Sequence, residues 1–134
     1  MTHELTTCLW YDGKAKEAAE YYCSIFKDSK ITSENPMVVT FEINGSKFMG
    51  LNGGPMFSFN EAVSFIVTCD TQEEIDMYWN KLIANGGNES MCGWLKDKYG
   101  MSWQIVPGSL GKLMSNPAKG ERVMQALLKM KKLD

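Results

Sequence analysis

Two amphipathic stripes held a constant 57 residues apart constrain this chain more than any other feature. Ala18, Tyr21, Tyr22, Ile25 and Phe26 fall at i, i+3, i+4, i+7 and i+8, the spacing of one helix face. Ile75, Tyr78, Trp79, Leu82 and Ile83 repeat that spacing. The same shift lays Thr7, Leu9 and Tyr11 over Ser64, Ile66 and Thr68, inside β-rich runs at 6–11 and 62–69 that precede the helices. After the first helix, predicted over 14–26, strands are predicted at 30–33, 37–43 and 47–51, parted by Glu34-Asn35-Pro36 and by the hairpin dipeptide Asn44-Gly45. The second helix opens on Thr71-Gln72-Glu73-Glu74, a capping box whose hydroxyl and carboxylate each satisfy an orphan amide, and stops at Gly86-Gly87. A strand at 88–91 and a hairpin follow. Each half reads strand-helix-strand-strand-strand, so an internal duplication is expected. The predicted fold class is α+β: two βαβββ modules forming a curved, cleft-forming mixed sheet with helices outside, plus a C-terminal helix. One domain, 1–134, would hold module one at about 5–53, module two at about 61–107 and a helical tail at 108–134.

The hairpin of module two runs from Cys92 to Asp97, turns at Lys98, Tyr99 and Gly100, and returns from Met101 to Val106, closed by Pro107. Alternation puts Trp103 and Ile105 on one face and Ser102, Gln104 and Val106 on the other. The first face is core. The second, with an amide at its centre, reads equally as a binding wall or a solvated surface. By the same alternation Cys8/Trp10 and Phe65/Val67/Cys69 would pack on the helices. Thr7/Leu9/Tyr11 and Ser64/Ile66/Thr68 would face inward with Ser102 and Gln104. A concave wall of aliphatics carrying a few polar groups is the usual form of a small-molecule site. Trp94 would be a lid or wall of that site, or else a core residue. The ligand-binding candidates are therefore Thr7, Leu9, Tyr11, Ser64, Ile66, Thr68, Trp94, Ser102 and Gln104.

CGWLKDKYGMSWQIVP at 92–107, together with LWYDGKAKEAAEYYCSIF near the start and RVMQALLKMKKLD at the end, resembles the PhnB-like proteins. These are a subgroup of the vicinal oxygen chelate superfamily, which includes glyoxalase I and the bleomycin- and fosfomycin-resistance proteins. The resemblance implies two modules around one cleft, and a homodimer. In metal-dependent members four equivalent places hold the ion, and by resemblance they fall on Thr7, Met49 or Gly50, Ser64 and Gln104. None is a histidine or carboxylate, the donors that divalent transition metals need here. No metal and no cofactor are therefore expected. The implied function is metal-free binding of a small molecule, as in the bleomycin-binding relatives. The alternative is an enzyme of the glyoxalase, dioxygenase or resistance type with divergent residues, drawing on Tyr11, Cys8, Cys92 or a group supplied by the substrate; catalytic residues stay unassigned. Some of the family carries the label 3-demethylubiquinone-9 3-methyltransferase, yet no GxGxxG follows a strand to hold a dinucleotide or S-adenosylmethionine.

Composition excludes other partners. With net charge −2, one arginine (Arg122) and scattered lysines, no nucleic-acid surface is expected. No run approaches the roughly 18 apolar residues of a membrane span, and no basic-then-apolar start marks a signal peptide. Cys8, Cys23, Cys69 and Cys92 form no CxxC pair, which argues against structural zinc and for free thiols in a cytoplasmic setting. His3, the chain's one histidine, lies in the N-terminal segment, away from any serine or cysteine motif. The carboxylates Glu17, Glu20, Glu73, Glu74 and Asp76 read as solvated helix faces. A last helix is predicted over 118–131, its lysines suited to the negative end of the helix dipole.

Overall fold

The computed structural model describes residues 3–134, which divide into two compact units, one up to Ser58 and one from Phe59. The first contains β1 (Thr7–Tyr11), α1 (Ala15–Ile25), β2 (Ser29–Glu34), β3 (Val38–Ile43) and β4 (Ser46–Asn52). Its sheet has the order β1-β4-β3-β2, with β1 parallel to β4 and the other pairs antiparallel. Asn44 and Gly45, both at positive φ (49° and 85°), make the tight β3–β4 hairpin. α1 lies close to the sheet because its buried stripe begins with Ala15, Ala18 and Ala19. A Cβ on Gly50 would already stand 3.0 Å from the Ala15 Cβ. Tyr22, Phe41 and Phe48 then stack in sequence, with ring centroids 6.3 and 5.4 Å apart. Lys14 at the helix start has no side-chain cap; the Asn52 amide oxygen, from the end of β4, accepts from Ala15 N–H at 2.9 Å instead.

The second unit repeats the plan with β5 (Ser64–Cys69), α2 (Gln72–Ile83), β6 (Asn88–Glu89), β7 (Trp94–Lys96) and β8 (Ser102–Pro107), ordered β5-β8-β7-β6. Here β5 is parallel to β8. The capping box forms: Thr71 Oγ1 accepts from Glu74 N–H at 3.2 Å, and Glu74 Oε1 accepts from Thr71 N–H at 3.2 Å. Ile75, Trp79 and Leu82 of α2 are buried on the side of Leu95, Trp103 and Ile105. Two short helices, α3 (Leu110–Ser115) and α4 (Gly120–Leu127), follow. The fold is the expected α+β pair of βαβββ modules.

The duplication is offset where it matters for the site. Ile75, Trp79 and Leu82 lie 57 positions after Ala18, Tyr22 and Ile25, whereas the buried pair Leu9 and Tyr11 matches Val67 and Cys69 at a shift of 58. The cause is the connection before each helix: residues 12–14 in the first module, 70–71 in the second. A one-residue slip turns a strand over. Leu9 and Tyr11, at 5% and 4% exposure, therefore face α1, while Cys8 is exposed. The expected assignment of β1 is reversed: Thr7, Leu9 and Tyr11 share the helix-side alternation, and Cys8 and Trp10 lie on the opposite face.

Two further boundaries differ. Cys92 is a left-handed turn residue (φ 60°), not strand, and β7 begins at Trp94. The last helix ends at Leu127 rather than running to 131. Tertiary pairing wins over helix propensity there, because Met130 and Lys131 give their carbonyls to Cys92 and Gly93 N–H, both at 2.8 Å. No helix among the described residues is long and apolar enough to cross a membrane. Cys8, Cys23, Cys69 and Cys92 are all free of disulfides.

Candidate functional site

β8 is the middle of the site. It lies between β5 and β7, so every second side chain on three adjacent strands meets on one face. Trp103 and Ile105 go to the helix side, at 3% and 0% exposure, the Trp103 ring 5.3 Å from that of Phe65. On the other face the register brings together Ser64, Ser102 and Lys96, then Ile66, Gln104 and Trp94, then Thr68 and Val106. Gln104 Nε2 donates to Ser64 Oγ at 2.9 Å. Trp94 is half-buried beside Gln104, and it is Leu95, at 1% exposure, that fills the core. Ile66 is 61% exposed, an aliphatic side chain on the open face of the sheet.

Next to this row lies a hollow of about 400 Å³, inside the general range of roughly 300–1,000 Å³ for small-molecule sites. Its lining includes Glu61, Ser90, Trp94, Lys96 and Ser102. Lys96 pairs with Glu61, and that hydrogen bond holds the Glu61 carboxyl below the usual carboxylate range. Ser102 is fully buried, yet its Oγ has no hydrogen-bond partner among the described residues. A buried hydroxyl of that kind calls for an explanation, since nearly all such groups are satisfied.

Of the nine sequence candidates, Ser64, Ile66, Thr68, Trp94, Ser102 and Gln104 share the open face of module two. Thr7, Leu9 and Tyr11 do not have the equivalent setting in module one, for the reason of register given above. The open face of that sheet carries Cys8, Trp10, Thr40 and Met49 instead. Trp10 Nε1 donates to Gly54 O at 2.8 Å, and its ring meets Phe57 edge-on at 4.9 Å. A Cβ on Gly53 would fall 2.3 Å from the Trp10 ring, so the loop at 53–57 is drawn against this face at its smallest residue. Two groups went unnoticed in the sequence. Lys96 and Glu61 carry no motif, and only their positions on a paired strand and the preceding loop bring them to the hollow.

The donor set does not suit a divalent metal. Met49, on the open face, is the structural counterpart of Gln104, because Gly50 points at Ala15. Met49, Ser64 and Gln104 are neutral, and the last two are engaged with each other. Among the described residues no group of three or more His, Cys, Asp or Glu side chains is gathered as a metal site. Nucleophiles fare no better: burial, then Glu74 and Asp70, push the Cys69 thiol up to about 11, and burial also raises Cys23.

Two mixed-sheet βαβββ modules, each with a parallel first-to-last strand pair, define a protein of the vicinal oxygen chelate class. The chain belongs within it to the PhnB-like family. The family model described as 3-demethylubiquinone-9 3-methyltransferase matches residues 3–106. The PhnB protein from Bacillus cereus is 36% identical, its structure covering 79% of this chain and 100% of its own, with a TM-score of 0.71. A glyoxalase-related enzyme from Fulvimarina pelagi shares the fold at 15% identity, over 82% of this chain and 91% of its own, with a TM-score of 0.61. A glyoxalase/bleomycin resistance protein/dioxygenase from Alicyclobacillus acidocaldarius does so at 11% identity, over 75% and 87%, with a TM-score of 0.51. No curated protein matches.

Proposed function

We propose that this chain binds a small molecule without a metal, on the open face of module two. Ser102 carries the reading. Its buried hydroxyl has an unused hydrogen-bonding capacity beside a hollow that Trp94 also lines, and a ligand would supply the missing partner. Trp94 and Ile66 provide apolar area, Gln104, Ser64 and Thr68 provide polar groups, and each satisfied hydrogen bond adds roughly 0.5–1.5 kcal/mol. An enzymatic role has less to draw on. Tyr11 is buried on the helix side of its sheet, which leaves Cys8 and Cys92 from the set considered for catalysis. Native mass spectrometry of the purified protein is expected to reveal a bound organic molecule, and elemental analysis no stoichiometric transition metal. An equimolar metal that is lost on Gln104→Ala would overturn the metal-free reading.

Assembly into a homodimer fits the same picture. β1, β2, β5 and β6 are sheet edges, and Leu113, Met124 and Leu128 are exposed on the C-terminal helices. Light scattering is expected to give twice the chain mass at micromolar concentration; a single-chain mass would refute pairing.

A further inference from the structure

Beyond α4 the chain turns, Met130 N–H donating to Leu127 O at 3.0 Å, and then lies against both α2 and the turn that leads into β7. Cys92 and Gly93 are successive left-handed residues, at φ 60° and 84°. They are the central pair of a tight turn closed by Trp94 N–H donating to Met91 O at 3.1 Å, which leaves the N–H groups of Cys92 and Gly93 open on its outer side. The tail meets them there: Cys92 N–H donates to Met130 O and Gly93 N–H to Lys131 O, each at 2.8 Å. The tail's other side is tied to α2. Gln72 Nε2 donates to Leu133 O at 2.9 Å, and Lys132 Nζ pairs with Asp76 Oδ1 at 2.7 Å. That pairing lowers Asp76 and raises Lys132 from their ordinary values.

The Leu133 side chain occupies the remaining space. It is 3% exposed, and its Cγ lies 3.0 Å from where a Cβ on Gly93 would stand. The Ile105 carbonyl closes the opposite side at the same distance. Gly93 O also accepts from Ile105 N–H at 2.8 Å, so the turn is fixed to β8 as well as to the tail. A non-glycine residue at φ 60°, as Cys92 is, persists where its surroundings hold it. The next residue after this turn is Trp94, opposite Gln104.

We propose that residues 130–133 form a clip that sets the Cys92–Gly93 turn and so positions the Trp94 ring on the binding face, with Leu133 as the positioning residue. The link to binding rests on the function proposed above; the clip itself rests on the tail's bonds. Loss of the Leu133 side chain frees the two tail carbonyls from the turn, and Trp94 follows.

The test needs no ligand. Full-length protein labelled with 5-fluorotryptophan gives one fluorine resonance per tryptophan, and Trp94→Phe assigns the relevant one. Leu133→Ala is expected to shift or broaden the Trp94 resonance while those of Trp10, Trp79 and Trp103 stay in place. Amide exchange at Cys92 and Gly93 should rise about tenfold or more, the scale of one lost hydrogen bond. Gln72→Met, which removes the bond to Leu133 O from a solvent-exposed position, gives a milder version of both changes should Leu133→Ala fail to fold. Met56→Ala, at a residue 76% exposed in the other unit, should alter neither. Faster exchange with an unmoved Trp94 resonance would make the tail a mere brace and overturn the proposal. Unchanged exchange in both variants would overturn the clip altogether. Failure to find any ligand would count against the proposed function alone.

Discussion

Asp97→Ala is expected to destabilise this protein by on the order of 3–5 kcal/mol, enough to consume much of a typical domain's roughly 5–15 kcal/mol. Asp97 is 2% exposed and organises the β7–β8 turn. Its Oδ1 accepts from Tyr99 N–H at 2.8 Å and Met101 N–H at 3.1 Å, and its Oδ2 from Trp103 Nε1–H at 2.9 Å. Alanine leaves those three donors without their acceptor, two of them on residues that are themselves buried. Hydrogen bonds to a charged acceptor contribute about 1.5–3 kcal/mol each, and losses within one network do not add fully. Asp97→Asn retains one acceptor oxygen but turns an NH₂ group toward a donor, so an intermediate loss is expected. Urea denaturation would measure both, through a fall in midpoint at constant slope. A midpoint for Asp97→Ala close to that of the parent would show that water replaces the carboxylate at no cost.

This aspartate illustrates what a sequence conceals. Between two lysines, at the end of an expected strand, it carries no sign of burial, and only the fold reveals that the hairpin curls around it. The helices were legible because their stripes obey a single period, and the cap of α2 is local. Thr71-Gln72-Glu73-Glu74 names its own structure. The face of β1 was not legible, since strand alternation depends on the phase at which the strand enters the sheet. Tyr11 and Cys69 occupy equivalent places, yet the extra residue in the 12–14 connection hides this from a constant shift. Three of the nine cleft candidates were turned over by that single residue. In module two the phase was anchored by Trp103 and Ile105, the two apolar side chains that alternate with Ser102 and Gln104 and are buried on the helix side. The candidates drawn from that module accordingly share one face. The end of the last helix was hidden for a different reason: its competitor, the turn at Cys92 and Gly93, lies far away along the chain.

Trp94→Ala is expected to weaken ligand binding by about 30-fold or more, the scale of a buried aromatic anchor in an interface, while leaving the melting temperature nearly unaltered. The argument turns on which residue of β7 fills the core. Leu95 does, at 1% exposure and paired in register with Trp103. Trp94 points the opposite way, beside Gln104 and the hollow that Ser102 also lines. Truncating it removes aromatic area from the face and leaves the packing around α2 intact. Trp79 provides the contrast: it is 1% exposed on α2, with Nε1 donating to Glu89 Oε1 at 3.1 Å. Trp79→Ala should cost about 3–5 kcal/mol, the range for emptying an aromatic core position. Measured side by side by thermal melts and by titration of the co-purified molecule, the two variants separate a wall from a core. If Trp94→Ala melts as early as Trp79→Ala, or binds as tightly as the parent, the ligand does not sit on this face.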